Sequence, residues 1–69
     1  MSSFKKEFGQ QIKRLRARIH ITQDQLAERL GISRDMVKYY ERGDNGPEFE
    51  RIPAIAKALE VTKSELFDF

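Results

Sequence analysis

Apolar residues recur along this chain at the three- and four-residue steps of α-helices, without the two-residue alternation that indicates strands. The first stripe has steps of four, four, three and four and comprises Phe4, Phe8, Ile12, Leu15 and Ile19. Ser2 or Ser3 can cap this helix with a side-chain oxygen. Five such segments and no internal repeat predict an all-α fold, a compact five-helix bundle.

Local signals mark the start and the end of the second helix. Thr22 has Gln25 three residues later, and Ile21 and Leu26 flank the position, so a capping box and a hydrophobic staple coincide. Gly31 supplies the positive φ that ends this helix and begins a turn.

The third helix follows Ser33 as N-cap and ends at Gly43. Its spacing from the second helix is typical of a DNA-binding unit, in which one helix braces another that projects polar side chains outward. Ala27 falls at their closest approach, where little more than a methyl group fits. The positions that face the common core are Leu26, Leu30, Ile32, Val37 and Tyr40. The positions left facing outward are Arg34, Asp35, Lys38, Tyr39 and Arg42.

Turn chemistry in the run DNGPEFE, residues 44–50, separates the third helix from the fourth. Phe49 is expected to tuck under this loop. Pro53 lacks an N–H and fits only the first turn of a helix, so the fourth helix starts no earlier than about Glu50.

The fifth helix repeats the start signal of the second, with Thr62 followed three residues later by Glu65. It is expected to run through Leu66 into Phe67 and Phe69. Because the core takes Leu66, Phe67 or Phe69 is left near the surface, where two copies of the chain can pair. In the alternative, one Phe folds back over the first helix while the other frays.

Composition and length narrow the class of protein. The 69 residues, 1–69, correspond to one domain. No Cys is present, and the single imidazole, His20, has no second candidate ligand near it, so neither a metal nor another cofactor is expected. His20 is expected to end the first helix. No arrangement of nucleophile, acid or metal ligands for catalysis is present in the sequence, so an enzyme is excluded. No apolar run approaches the roughly 20 residues that span a bilayer, which predicts a cytoplasmic, nucleoid-associated protein without membrane contact.

The net charge of +2 is unevenly distributed. Residues 1–21 carry six Lys and Arg against one acid, giving +5, and residues 22–42 carry four of each. Residues 43–69 carry three basic and six acidic side chains, giving −3. Such asymmetry favours a molecule that turns one face toward a polyanion, although each Lys or Arg of the first helix is equally consistent with a solvated helix face.

The run IKRLRARIHITQDQLAERLGISRDMVKYYERG resembles the phage-repressor type of helix-turn-helix, the Cro/CI-like or XRE family. PAIAKALEVTKSELF resembles the closing helices of that family. The similarity extends from about Phe8 to Leu66 and rests on ordered spacing rather than on one short motif. It implies a lambda-repressor-like domain of five helices, with the helix-turn-helix motif at 23–42 and the third helix in the major groove.

Carried over residue by residue, the resemblance implies a set of DNA contacts. The positions that face base edges are Ser33, Arg34, Asp35 and Tyr39. Arg34 is the strongest candidate, because a guanidinium bridges O6 and N7 of guanine. The positions that meet phosphates are Gln23, Lys38, Arg42 and Asn45. Gln23 has a plainer interpretation as a solvated residue at a helix start.

Two acids are unexpected on such a surface. Phosphate repels the Asp35 carboxylate, so its presence there is explained if it accepts from a cytosine N4 or fixes Arg34 or Lys38. Alternatively, Asp35 only stabilises the first turn of the third helix through the helix dipole. Asp44 stands where many members of the family have Lys or Arg, so we expect modest affinity for DNA.

Arg16 and Glu41 match a pair that joins the first helix to the third in this family. A partly buried bidentate pair would neutralise Glu41, which otherwise lies on a surface that meets phosphates. The resemblance therefore implies a structural role for Arg16 rather than a DNA contact.

The sequence as a whole predicts a transcriptional regulator, most simply a repressor, that binds a palindromic operator in double-stranded DNA as a homodimer. The acidic C-terminal third could bind a protein partner. The alternative is an antitoxin or adaptor that uses the same fold for protein interaction, and weak or sequence-independent DNA binding would indicate that class.

Overall fold

The computed structural model describes residues 3–69, which form five α-helices and one 3₁₀ turn. The elements are α1 Phe4–Arg18, α2 Gln23–Leu30, α3 Arg34–Arg42, the 3₁₀ turn Phe49–Arg51, α4 Ile52–Ala58 and α5 Lys63–Leu66. The predicted all-α fold is confirmed for this part of the chain. No helix within residues 3–69 has the length and apolarity needed to cross a membrane.

Side-chain caps begin four of these helices. The side-chain oxygens of Ser3, Thr22, Ser33 and Thr62 each accept from the backbone N–H three residues later. At α2 and α5 the reciprocal bond is also present, which completes both predicted capping boxes. The helix starts are therefore set by local chemistry.

Four helices end in the same way, with a residue in the left-handed region. Gly31 and Gly43 occupy this position at φ 69° and 77°, and His20 and Glu60 occupy it at φ 59° and 61°. His20 donates its N–H to the carbonyl of Ala17 at 3.1 Å and so ends α1, as predicted. Unlike glycine, His20 and Glu60 hold this conformation at a steric cost.

All five helices contribute residues to the core. Its buried hydrophobic residues are Phe8, Ile12, Leu15, Leu26, Ala27, Val37, Tyr40, Ile55, Ala56, Ala58, Leu59 and Leu66. Gly9 lies where α1 crosses α3, and a Cβ there would come within 2.3 Å of the Tyr40 carbonyl oxygen. This close approach of two backbones lets α1 support α3 directly.

Two expectations about the apolar residues are wrong. Phe49 does not tuck under the loop after α3, because the backbone runs past the core there and leaves the residue 88% exposed. The last helix ends at Leu66 rather than continuing to Phe69. Gln11, buried on α1, donates its side-chain amide to the carbonyls of Glu65 and Asp68 and so holds the chain after α5 in a turn.

Candidate nucleic-acid interface

The outward face of α3 is polar and accessible. Arg34, Asp35, Tyr39 and Arg42 are exposed, and Lys38 is half-buried. The inner face carries Val37 and Tyr40 into the core. A half-buried Lys can cover apolar surface with its aliphatic stem while its ammonium reaches solvent.

Glu41 lies at the edge of this face, beside the buried side of α3, and accepts three hydrogen bonds. Its Oε2 accepts from Arg16 Nε at 2.6 Å, and its Oε1 accepts from Arg16 Nη2 and from Gln23 Nε2, both at 3.0 Å. The side chains of Arg16 and Glu41 are only 15% and 4% exposed. Arg16 Nη1 also donates to the carbonyl of Ile21 at 2.9 Å. This Arg16–Glu41–Gln23 network fixes α1, the start of α2 and α3 relative to one another.

Gln23 therefore has a role that the sequence pattern did not indicate. One amide hydrogen of Gln23 is used on Glu41, which leaves the second amide hydrogen and the carbonyl oxygen for other partners. The backbone N–H groups of Gln23 and Asp24 lie in the first turn of α2, where a helix offers no internal acceptor. The start of α2 thus presents several donors beside α3.

Exposed acids lie close to two of the arginines. Arg34 Nε is 3.8 Å from Asp24 Oδ1, and Arg42 Nε is 3.2 Å from Asp44 Oδ2. All four side chains are about half exposed or more, so these pairs are weak and open to exchange. The carboxylate beside Arg34 is that of Asp24, from α2, and not that of Asp35. Asp35 forms no ion pair within residues 3–69.

The turn residues at the two ends of α3 differ in their contacts. The Ser33 side-chain oxygen accepts from the N–H of Met36 at 3.2 Å, and its hydroxyl hydrogen is left to donate elsewhere. Asn45 is exposed in the loop after α3, and its N–H lies 3.5 Å from the Tyr39 carbonyl oxygen. Ser33 and Asn45 thus flank the outward face of α3.

Phe67 and Phe69 lie away from α3, near the first turns of α1. The Phe67 ring stacks on Phe8 with centroids 5.0 Å apart, and the Phe69 ring lies 5.6 Å from that of Phe4. Both residues remain partly exposed, at 40% and 44%. The sequence predicted either a Phe left near the surface for pairing or one Phe folded back over the first helix while the other frays. The structure matches neither fully, since both rings pack on α1 and both still face solvent.

Comparison with known proteins places this geometry in a family. The sequence model of HTH_3, described as helix-turn-helix, matches residues 12–66. The HTH-type transcriptional activator BcrR of Enterococcus faecalis is 38% identical over 60 residues, which are 87% of this chain and 29% of BcrR. The chain thus spans less than a third of that relative.

Solved structures agree in fold. The restriction-modification controller protein C.AhdI from Aeromonas hydrophila superposes with a TM-score of 0.84 at 34% identity, covering 90% of this chain and 94% of C.AhdI. The P22 c2 repressor, solved in complex with a synthetic operator, gives a TM-score of 0.79 at 28% identity, covering 88% and 92% of the two chains.

Proposed function

Because this chain belongs to the HTH_3 helix-turn-helix family of DNA-binding transcription regulators, we propose that it reads a specific double-stranded DNA sequence with α3 in the major groove. One observation carries this proposal: the outward face of α3 is polar and exposed, while the Arg16–Glu41–Gln23 network ties this helix to α1 and α2. Readout of base edges needs such a rigidly placed helix.

Base readout falls to the residues of the first turns of α3 and to its cap. These residues are Ser33, Arg34, Asp35 and Tyr39. Arg34 is 56% exposed, and the Asp24 carboxylate 3.8 Å from it is solvated, so exchange of Asp24 for a guanine edge costs little. Arg34 is therefore the leading candidate for specificity.

Phosphate contacts fall to the two flanks of this face. They comprise Gln23, Lys38, Arg42 and Asn45. Gln23 is held in place by Glu41 at the start of α2, where free N–H groups favour an anion. Arg42 must leave Asp44, 3.2 Å away, before it meets a phosphate. Asp44 thereby lowers the affinity that Arg42 supplies.

We further propose that two copies bind a palindromic operator and that binding represses transcription. One small module buries only about 600–1,000 Å² on DNA, whereas two linked modules gain from effective concentration. The likeness to the P22 c2 repressor supports repression; BcrR is an activator, but this chain spans only 29% of it. The protein partner predicted for the acidic C-terminal third has no support among the similar proteins and is not proposed.

Selection of bound duplexes from a random pool tests the proposal. We expect an enriched palindrome whose half-sites lie about 34–36 Å apart, one turn of DNA. A pool that binds without any enriched sequence, or does not bind, would contradict base readout and favour the antitoxin or adaptor class.

A further inference from the structure

One face of the molecule carries four of the five large hydrophobic side chains that are exposed within residues 3–69. Within residues 3–69 the exposed large hydrophobic side chains are Phe4, Tyr39, Phe49, Phe67 and Phe69. Only Tyr39 belongs to the outward face of α3. The other four are phenylalanines that line one groove or touch its wall. Contiguous apolar surface of this kind marks an interaction site, whereas single exposed residues do not.

The groove, which we call the Phe groove, has a volume of about 740 Å³ and lies between the start of α1, the loop after α3, the start of α4 and the end of α5. Its apolar walls are formed by Phe4, Phe8, Ile52, Pro53 and Phe67. The Phe8 and Phe67 rings stack 5.0 Å apart, and Phe4 lies 6.5 Å from Phe67, so this wall is preformed.

Phe49 stands at the edge of the Phe groove but does not fill it. Its 88% exposure means that its ring makes little contact with its own chain. The same face therefore offers both a protruding aromatic ring and an apolar groove able to receive one. A two-fold contact between identical chains requires this self-complementarity, because each copy must present both parts.

We propose that Phe49 of one copy of this chain enters the Phe groove of a second copy, and that the second copy does the same in return. The rim supports a second copy as the occupant, because it carries both signs of charge: Lys5 and Lys63 are basic and Glu50 is acidic. Two such faces in a two-fold arrangement can oppose Lys and Glu, whereas a rim of one sign would repel its own copy.

The consequence of this contact for DNA binding rests on the proposed function. Asn45, a proposed phosphate contact, precedes Phe49 by four residues, in the loop that leads into the 3₁₀ turn. Seating Phe49 in a partner would hold that loop in place and set the distance between the two copies of α3. Paired half-sites need such a fixed distance.

Sedimentation equilibrium of the full chain tests the assembly. We expect a dimer whose dissociation constant rises at least tenfold in Phe49→Ala, as truncation of a buried aromatic anchor does. Glu48→Ala, one residue away and also exposed to solvent, is the matched control and should leave the constant unchanged. Phe49→Ala should fold normally, because the residue makes few contacts in its own chain. A monomeric wild type, or a Phe49→Ala dimer as tight as wild type, would overturn the proposal.

Disulfide trapping identifies the receiving surface. The chain has no Cys, so a bond between a Lys5→Cys chain and a Glu50→Cys chain joins two copies. We expect this mixed product to exceed, several-fold, the products of either chain alone. Bonds only between identical positions would show that the Phe groove is not the site, and the proposal would fail.

Binding to DNA separates this inference from the proposed function. Phe49→Ala should keep wild-type affinity for a single half-site and lose affinity for the paired operator. A wild-type chain that binds no DNA but dimerises through Phe49 would contradict the proposed function and leave this inference standing. Equal loss on both DNAs would overturn the inference.

Discussion

At the scale of single residues, Glu41 controls how α3 is held. Among residues 3–69 it is the one charged residue in the buried core, and it accepts three hydrogen bonds from Arg16 and Gln23. A buried ion pair adds little net stability, because desolvation offsets its attraction. Removal of one partner is different, since it leaves an uncompensated charge.

Arg16→Ala should therefore lower the free energy of unfolding by about 3–5 kcal/mol. Urea denaturation followed by circular dichroism measures this loss. Glu48→Ala, which removes an exposed carboxylate 3.7 Å from Arg51, is the control and should change stability by less than about 1 kcal/mol. Replacing both members, in Arg16→Met with Glu41→Leu, should recover much of the loss. If Arg16→Ala is as stable as Glu48→Ala, the network does not fix α3.

Glu65 makes the α5 capping box sensitive to pH. The backbone N–H of Thr62 donates to Glu65 Oε1 at 2.9 Å and, with the Thr62 hydroxyl, lowers the pKa of Glu65 below its ordinary 4.5. A carboxyl group whose pKa is lowered in the folded state stabilises the fold at pH values above its ordinary pKa. That stabilisation is lost as the pH falls through the pKa of the folded state. Gln25 holds the same position in α2 and does not titrate.

Glu65→Gln should keep the hydrogen-bond acceptor while it removes the proton equilibrium. The melting temperature of wild type should consequently fall more between neutral pH and pH about 3 than that of Glu65→Gln. Calorimetry at a series of pH values gives the comparison. Parallel curves for the two proteins would show that the Glu65 carboxylate does not stabilise the cap.

At the scale of elements, the crossing of α1 and α3 depends on Gly9. A Cβ at this position would lie 2.3 Å from the Tyr40 carbonyl oxygen and 2.7 Å from that of Glu41. Both neighbours are backbone atoms, which cannot rotate away as the end of a side chain would. The helices could accept a methyl group only by moving apart.

Gly9→Ala should accordingly destabilise the fold by about 1–3 kcal/mol or more, although alanine favours helices. Gly46→Ala is the matched control, because the nearest atom to its Cβ is Lys5 Cγ at an ordinary 3.8 Å. Thermal unfolding of the two variants compares them. A Gly9→Ala protein as stable as Gly46→Ala would mean that α1 and α3 do not touch at this point.

The elements also show how far the sequence could predict the structure. Thr22, Ser33, Gly31 and Gly43 set helix ends through contacts within a few residues, so their signals were readable in the sequence. The Arg16–Glu41 contact, expected from the resemblance alone, is present in the structure.

Features that depend on the placement of distant segments were not predicted. Helix propensity alone marks Gly9 as unfavourable, and the reason for glycine at this position is visible only once α3 is placed beside α1. The exposure of Phe49 and the position of Asp24 beside Arg34 depend on how loops and helices lie in three dimensions. Gln11 gave no pattern at all, because its carbonyl partners are more than 50 residues away.

At the scale of the whole molecule, the proposed DNA-binding face is nearly balanced in charge. Its cations are Arg34, Lys38 and Arg42, and its acids are Asp24, Asp35 and Asp44. Such a face attracts phosphates weakly, so sequence-independent binding should be low and base contacts should supply much of the preference. The strong charge of the chain, +5 over residues 1–21, lies mainly in α1.

Lys38→Ala should lower affinity equally on every duplex tested. The slope of log affinity against log salt should fall in magnitude by about one unit for each contact removed, and thus by about two for a dimer. Fluorescence anisotropy across a series of salt concentrations provides the slope. An affinity that does not change with salt would contradict the phosphate contacts.

The affinity of Arg34→Ala for the selected operator, and for versions of it with each base pair changed, tests the central claim most directly. Base readout by α3 predicts a loss of about 1–3 kcal/mol for each half-site of the operator and loss of preference at one base pair per half-site, while affinity for unrelated DNA stays nearly constant. Equal weakening on every sequence would contradict the claim, because Arg34 would then bind only the phosphate backbone.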